Sequence, residues 1–446
     1  MKQYDSYKDS GVEWIGKIPS HWEVCRLKNY CSLSGRIGWN GLRSEEFQQE
    51  SYAYLVTGQD FIKADIDWES CYQIDKDRYD EDPFIQLKNG DLLITKDGTI
   101  GKIAKVSGLD KPACLNSGIF VMKQKKDVFA QNYLYWMLVS SLLKDYNSYT
   151  SSGTTILHLY QNVFEKMPMV VPSFNEQEAI ANYLDKKCDE IDKAIATQEK
   201  RVELLKELRQ NIITQAVTRG INPDAPLKDS GVEWIKEIPS HWKSVPIKYS
   251  VESPYNSFID GDWIESNVIV SDGIRYLTTG NVGALKYKEQ GSGFISESTF
   301  KELNCSEVFP GDILISRLNE PIGRACIVPD LGYRIVVAVD NVIYRPDTNL
   351  YDKQFLVYQM NCKPYADTAN FIARGSTMSR VSRTTLGNFK LVIPPLDEQK
   401  KIVVYLNKKC DEIERSIEKA EHQIELLQEL KQSIITEVVT GKRKVV

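Results

Sequence analysis

From Asn175 to Thr218 the chain runs 44 residues without a proline or glycine, and its apolar positions keep a helical spacing. Ile191, Ile195, Val202, Leu205, Leu208 and Ile212 recur at steps of four and three, with Gln198 filling the gap. A stripe this narrow suits pairing with another helix. Pro172 and Ser173 stand where a helix should start, and Gly220 and Pro223 where it should stop. The pattern returns from Asp397 to Thr440 as Ile413, Ile417, Ala420, Ile424, Leu427, Leu430 and Ile434, each 222 residues after its counterpart. The surface recurs too, with KKCDEI at Lys186 and again at Lys408. Each helix would be about 66 Å long at ~1.5 Å per residue.

Ahead of each helix lies a stretch of short β-type runs bounded by Gly, Asp and Asn, with one helical segment late in each, Asn132 to Leu143 and Lys353 to Ala366. Both stretches open on nearly the same words: KDSGVEWIGKIPSHW from Lys8 and KDSGVEWIKEIPSHW from Lys228 agree at 13 of 15 positions. Such identity establishes an internal duplication, and Trp14, Trp22 and their copies are expected to be packing anchors. YLVTG at Tyr54 answers YLTTG at Tyr276, and GDLLIT at Gly90 answers GDILIS at Gly311. IGKIAKV at Ile100 answers IGRACIV at Ile322, and SSGTT at Ser151 answers RGSTM at Arg374. Between these landmarks the copies diverge: Ser32 to Glu50, with Arg36 and Arg43, has no likeness to Ser250 to Arg275, with Tyr255, Phe258 and Trp263. A constant frame around unlike loops fits two domains doing one task on different targets; drift of solvated loops would look the same.

Composition is that of an ordinary globular chain, 42% hydrophobic and 26% charged over 446 residues, which suits two or three domains. No apolar run is long enough to span a bilayer, and the first residues lack a signal-peptide core, so a cytoplasmic, membrane-free protein is expected. Nine cysteines without a CxxC pair fit reduced thiols. The net charge of −5 lies on the helices: they carry 19 acidic and 14 basic residues, leaving 42 of each elsewhere. A neutral remainder is not the basic face of a protein that binds DNA alone, so a DNA complex would draw positive charge from another subunit.

No catalytic or metal-binding constellation is present: no phosphate loop, dinucleotide turn, HExxH, GxSxG or amino-methyltransferase signature. The four histidines are expected to be structural. What remains are recurrent loops able to meet a ligand. Asp91 to Thr95 reads as a strand and Lys96-Asp97-Gly98 as a turn, placing Lys96 at a hairpin tip with Arg317 as its counterpart. Ser152, Thr154 and Thr155 offer hydroxyl and backbone donors suited to phosphate oxygens, and the second copy adds Arg374, Ser376, Thr377, Arg380 and Arg383.

The order anchor, variable domain, long helix, taken twice, with the GDIL-type strand, the Gly/Ser/Thr loop and the PxxxEQxxIxxYL helix start at Pro172 and Pro394, resembles the specificity subunit of a type I restriction-modification enzyme. The resemblance implies an α+β fold in which two β-rich target-recognition domains of one fold, residues 1–172 and 221–394, are separated by two long helices, 173–220 and 395–446, packed as an antiparallel coiled coil with pseudo-twofold symmetry. It further implies a non-catalytic chain that reads an asymmetric bipartite target in double-stranded DNA. The implied partners are two modification subunits using S-adenosylmethionine and restriction subunits using ATP and Mg, with no cofactor on this chain. The helices would set the spacing between half-sites, and outer acids such as Glu203, Glu207, Glu425 and Glu429 would meet partner subunits. The alternative is a coiled-coil scaffold that binds proteins and no DNA.

Overall fold

A computed structural model describes residues 3–36, 42–150, 158–291, 293–373 and 379–445. The chain forms two compact units, Met1–Gln198 with His422–Val446, and Glu199–Glu421. These cut across the sequence segmentation, because each long helix contributes its first part to one unit and its last part to the other. The helices are Phe174–Arg219 and Leu396–Val439, within a residue of the spans expected from apolar spacing.

Both units are built on one plan. In the first, a four-stranded sheet runs in the order Ile103–Lys105, Leu92–Thr95, Ile119–Gln124, Cys31–Ser34; in the second, the order is Ala325–Ile327, Ile313–Ser316, Asn341–Tyr344, Phe258–Asp260. A three-stranded sheet accompanies each, with one parallel pair in each copy, Ala113–Leu115 beside Ala53–Val56 and Ile335–Val337 beside Ile274–Leu277. The helical segment late in each stretch is two helices, Gln131–Val139 then Ser141–Thr150, and Lys353–Met360 then Lys363–Ala373. In the second copy Pro364 explains the break: without an N–H it opens a helix and cannot continue one. In the first, Ser140 makes the break, donating from its hydroxyl to the Met137 carbonyl with extended backbone.

The repeated anchors are the hubs of these cores. Trp22 and Trp242 are wholly buried. The indole of Trp22 donates to Glu176 Oε1 at 3.3 Å and that of Trp242 to Glu398 Oε1 at 3.1 Å, while His21 and His241 meet the same carboxylates at 2.9 and 2.7 Å. Burial pushes the Glu176 pKa up, but the bonds from His21, Ser173 and Trp22 prevail and hold it below the ordinary value. The end of a long helix closes over each indole. A Cβ on Gly441 would lie 3.0 Å from Trp22 and one on Gly220 3.3 Å from Trp242, and both glycines have positive φ, as a helix terminus of this kind requires.

The next residue of the EQ pair explains the rest of that motif. Gln177 donates to the carbonyls of Val128 and Pro172 and accepts from Ala130 N; Gln399 does the same with Leu350, Pro394 and Asp352. One amide thereby ties helix start, preceding strand and domain helix together with three bonds in a dry setting. Gln399→Leu is expected to cost about 2 kcal/mol, since buried partners stranded without a bond cost ~1–3 kcal/mol. Urea denaturation checks this, and a cost under a few tenths would show that water replaces the amide. Elsewhere the copies reach one end by different means. Gln359 bonds the carbonyls of Val217 and Val392, and the Tyr133 hydroxyl bonds those of Val439 and Val170, their exact counterparts 222 residues away.

Within each unit the helix segments run antiparallel. In the second, Val202, Ile413, Ile417 and Ala420 form the seam, flanked by Arg209 with Glu414 at 2.5 Å and Lys206 with Glu421 at 3.6 Å. In the first, Lys431 meets Asp192 at 2.7 Å. That pair is the repeat image of Arg209 with Glu414, acid and base exchanged between helices. Leu208 and Leu430, expected in the seam, are exposed at 47% and 46%. A regular step of four after Leu205 and Leu427 lands on Arg209 and Lys431 instead, so the seam passes through ion pairs there and the leucines fall one position outside. All nine cysteines are free thiols, and seven are buried. Among the described residues no helix is long and apolar enough to cross a membrane.

Candidate nucleic-acid interface

The four-stranded sheet brings three chain segments to one corner in each unit. In the second unit Ser316 pairs with Asn341 and Asp260 with Val342, so Arg317, Asp340 and Asp260 arrive together. The segment after residue 378 is pinned to the same corner, Val381 N donating to Arg317 O at 3.1 Å. Arg380 meets Asp340 at 2.8 Å, and Arg383 meets Asp260 at 3.2 Å while donating to the Phe258 carbonyl at 3.0 Å. Arg380 and Arg383 keep 41% and 44% of their side chains exposed. Three arginines against two aspartates leave the corner with one positive charge, fixed in direction by the carboxylates behind it.

Arg317 does not share that exposure. It is 5% accessible, paired with Asp260 at 3.1 Å and donating to the carbonyls of Val339 and Val381. Burial pulls its pKa down, against the opposing pull of Asp260. The expectation that it meets a ligand is corrected: its guanidinium holds the corner together from beneath. Beside it Asn341 is wholly buried, and among the described residues neither amide atom has a hydrogen-bond partner.

The first unit makes the same corner with different side chains. Leu159 N donates to Lys96 O at 3.1 Å, the counterpart of Val381 and Arg317, so His158 stands where Arg380 stands in the second unit. His158 pairs with Asp97 and packs 4.7 Å from the ring of Tyr160. Lys96 is not at a hairpin tip. Its N–H continues the ladder to Gly118 O, the side chain is half-buried, and Nζ lies 4.9 Å above the Phe120 ring. The strands end at Thr95 and restart only at Ile103, so the tip is further on, around the exposed Gly98 and Thr99.

Arg36 is also corrected. It is 2% accessible, with Nε donating to Leu115 O at 3.0 Å and a second nitrogen 3.6 Å from Cys114 Sγ, so it braces the parallel strand pair. Arg43 is exposed beside the turn Ser44–Glu46, and among the described residues it shares no hydrogen bond or ion pair with the corner. Ser152, Thr154, Thr155, Arg374, Ser376 and Thr377 lie outside the described residues. Residue reasoning missed His158, Asp260 and Asp340 as corner residues. The 222-residue displacement links His158 to Arg380 and Gly118 to Asp340, but Asp260 falls in the divergent segment, where no displacement holds.

The model of the type I restriction modification DNA specificity domain matches residues 19–204 and 257–426, once in each copy. The chain belongs to this family. Its relatives include the MjaVIII specificity subunit of Methanocaldococcus jannaschii, 23% identical with 96% of this chain and 94% of that protein covered. The EcoKI specificity subunit of Escherichia coli K12 is 22% identical, with 96% and 90% covered. Among solved structures, a chain from a type I R-M system described for its complex assembly and conformational transition has a TM-score of 0.70 at 16% identity, covering 95% of this chain and 98% of that one. The HsdS subunit of Thermoanaerobacter tengcongensis has a TM-score of 0.52, also at 16% identity, with 98% and 100% covered. At such identity the structures speak for the fold. Each of the two specificity domains lies almost wholly within one unit, and each unit has its corner.

Proposed function

We propose that this chain is the non-catalytic, sequence-reading subunit of a type I restriction-modification enzyme, with each unit reading one half of an asymmetric, bipartite DNA target. The observation that carries this reading is the corner itself. One backbone frame presents Lys96 and His158 in one unit and Arg380 and Arg383 in the other, as expected if the units perform one task on unlike half-sites. Side chains of this kind serve both phosphates and base edges, and arginine pairs best with guanine. Two modification subunits carry adenine-N6 methylation with S-adenosylmethionine, restriction subunits carry the ATP- and Mg-dependent work, and these partners supply the positive charge that a chain of net charge −5 lacks. Their docking places are the long helices, where Leu204 and Leu208 stand exposed among Glu203 and Glu207, and Leu426 and Leu430 among Glu425 and Glu429. Leucines left exposed among charged side chains are suited to a partner with an apolar face.

Methylation mapping by long-read sequencing tests the reading, in a host expressing the modification subunit with and without this chain. N6-methyladenine is expected at a split, asymmetric motif only when the chain is present. A methylation pattern indifferent to the chain would instead favour the protein scaffold.

A further inference from the structure

The two corners differ in more than their cations. Strand pairing places Ser34 opposite Val121 in the first unit and Ile259 opposite Ile343 in the second, so the next residues along, Gly35 and Asp260, occupy the same place. Gly118 and Asp340 likewise precede equivalent residues, Ile119 and Asn341. Two glycines in one copy are thus two aspartates in the other, and the side chains they face change with them, from lysine and histidine to arginines. The cause is visible in the neighbouring strand. A Cβ on Gly35 would lie 2.8 Å from the Phe120 ring, which fills the corner and takes Lys96 on its face, whereas the second unit has Val342 at that position and leaves room for a carboxylate.

We propose that Asp260 is a positioning residue for the half-site read by the second unit, acting through Arg383. This rests on the DNA reading given above. One carboxylate oxygen meets Arg317 at 3.1 Å and the other meets Arg383 at 3.2 Å. Arg317 is buried and its guanidinium is bonded to the Val339 and Val381 carbonyls, so Asp260 is itself held, and it passes that order on to an arginine at the surface. The backbone beneath is equally constrained. Asp262 N donates to Val337 O at 2.8 Å, Val339 N donates back to Asp262 O at 2.9 Å, and a Cβ on Gly261 would lie 2.3 Å from the Val337 carbonyl. Arg383 holds Nε 3.2 Å from Asp260 and donates Nη1 to the Phe258 carbonyl, and the two contacts together orient the guanidinium plane. A planar fork with its plane fixed is what bidentate recognition of a base edge needs, whereas a lysine over an aromatic ring is a point charge free to follow a phosphate. The second unit therefore discriminates bases through this corner more sharply than the first does.

The test uses the chain assembled with its modification subunits, on duplexes carrying the mapped target and on duplexes with each base pair of one half-site replaced in turn. Binding constants give a discrimination ratio at each position. Asp260→Asn, which keeps volume and removes the charge, is expected to lower the ratio about tenfold at one position of the second unit's half-site, within the range of one bidentate contact. Arg383→Ala should lower the same position, and the double variant should be no worse than Arg383→Ala alone, because Asp260 acts only through that arginine. A purely structural role would instead lower the ratio by the same factor in both backgrounds, and that result, or an unchanged ratio in Asp260→Asn, overturns the assignment. A wild-type complex that does not prefer its target to the altered duplexes overturns the DNA reading itself.

Discussion

Replacing Trp22 by alanine is expected to destabilise the first unit by about 3–5 kcal/mol, and Trp242→Ala the second by a similar amount, the usual range for removing a large buried aromatic ring. The lost ring, together with the lost bond to a carboxylate that His21 or His241 still holds, puts these among the most damaging substitutions in the chain. Each indole is wholly buried where three distant segments meet: the repeated anchor, the start of one long helix through Glu176 or Glu398, and the glycine that ends the other helix. A cavity there cannot close by moving one side chain, since its walls belong to elements fixed independently. Trp22→Phe, which keeps a six-membered ring but loses the pyrrole ring and its bond to Glu176, should cost less, about 2 kcal/mol. Hydrogen exchange during urea denaturation, read separately on peptides from each unit, resolves the two effects. If Trp22→Ala lost less than about 1 kcal/mol, the anchor would be a surface feature and the hub description would fail.

These hubs show what residue patterns disclose and what they hide. The long helices were legible because periodicity over 44 residues, bracketed by proline and glycine, has no competing explanation, and observed ends fall within a residue of expectation. The duplication was legible because near-identical words recur. That same identity pointed to Trp22 and Trp242 without showing why His and Glu accompany them, since the glutamate lies more than 150 residues along the chain. Leu208 and Leu430 misled because a leucine one position from the seam looks like the seam, and the true position is held by Arg209 and Lys431, whose partners are remote. The corner was half legible. Lys96, Arg380 and Arg383 stand out in the sequence as cations beside recurring landmarks, but Arg317 stands out in the same way and Arg36 in the divergent segment, and both fold inward. Charge alone does not tell a surface cation from one that braces carbonyls, because that depends on strand register. Taken alone, His158 reads as structural, and only the backbone bond of Leu159 to Lys96 gives it the position of Arg380.

Arg380 and Arg383 replaced together by alanine should weaken binding of the assembled methyltransferase to its target by about 100-fold at moderate salt, each arginine contributing ~1–3 kcal/mol to a nucleic-acid interface. The effect is large because the corner's charge changes sign. Arg317, Arg380 and Arg383 outweigh Asp260 and Asp340 by one; with two arginines gone, the aspartates outweigh Arg317 by one, and a polyanion meets net negative charge. If both side chains touch phosphates, the slope of log affinity against log salt should also fall by about 2; if they touch base edges, affinity and discrimination fall with little change in slope. Stability should move far less than binding, because ion pairs this exposed contribute only ~0–1 kcal/mol to folding. That difference separates a lost contact from a damaged domain. Unchanged affinity and unchanged salt slope, in a complex that melts normally, would turn this corner away from the DNA.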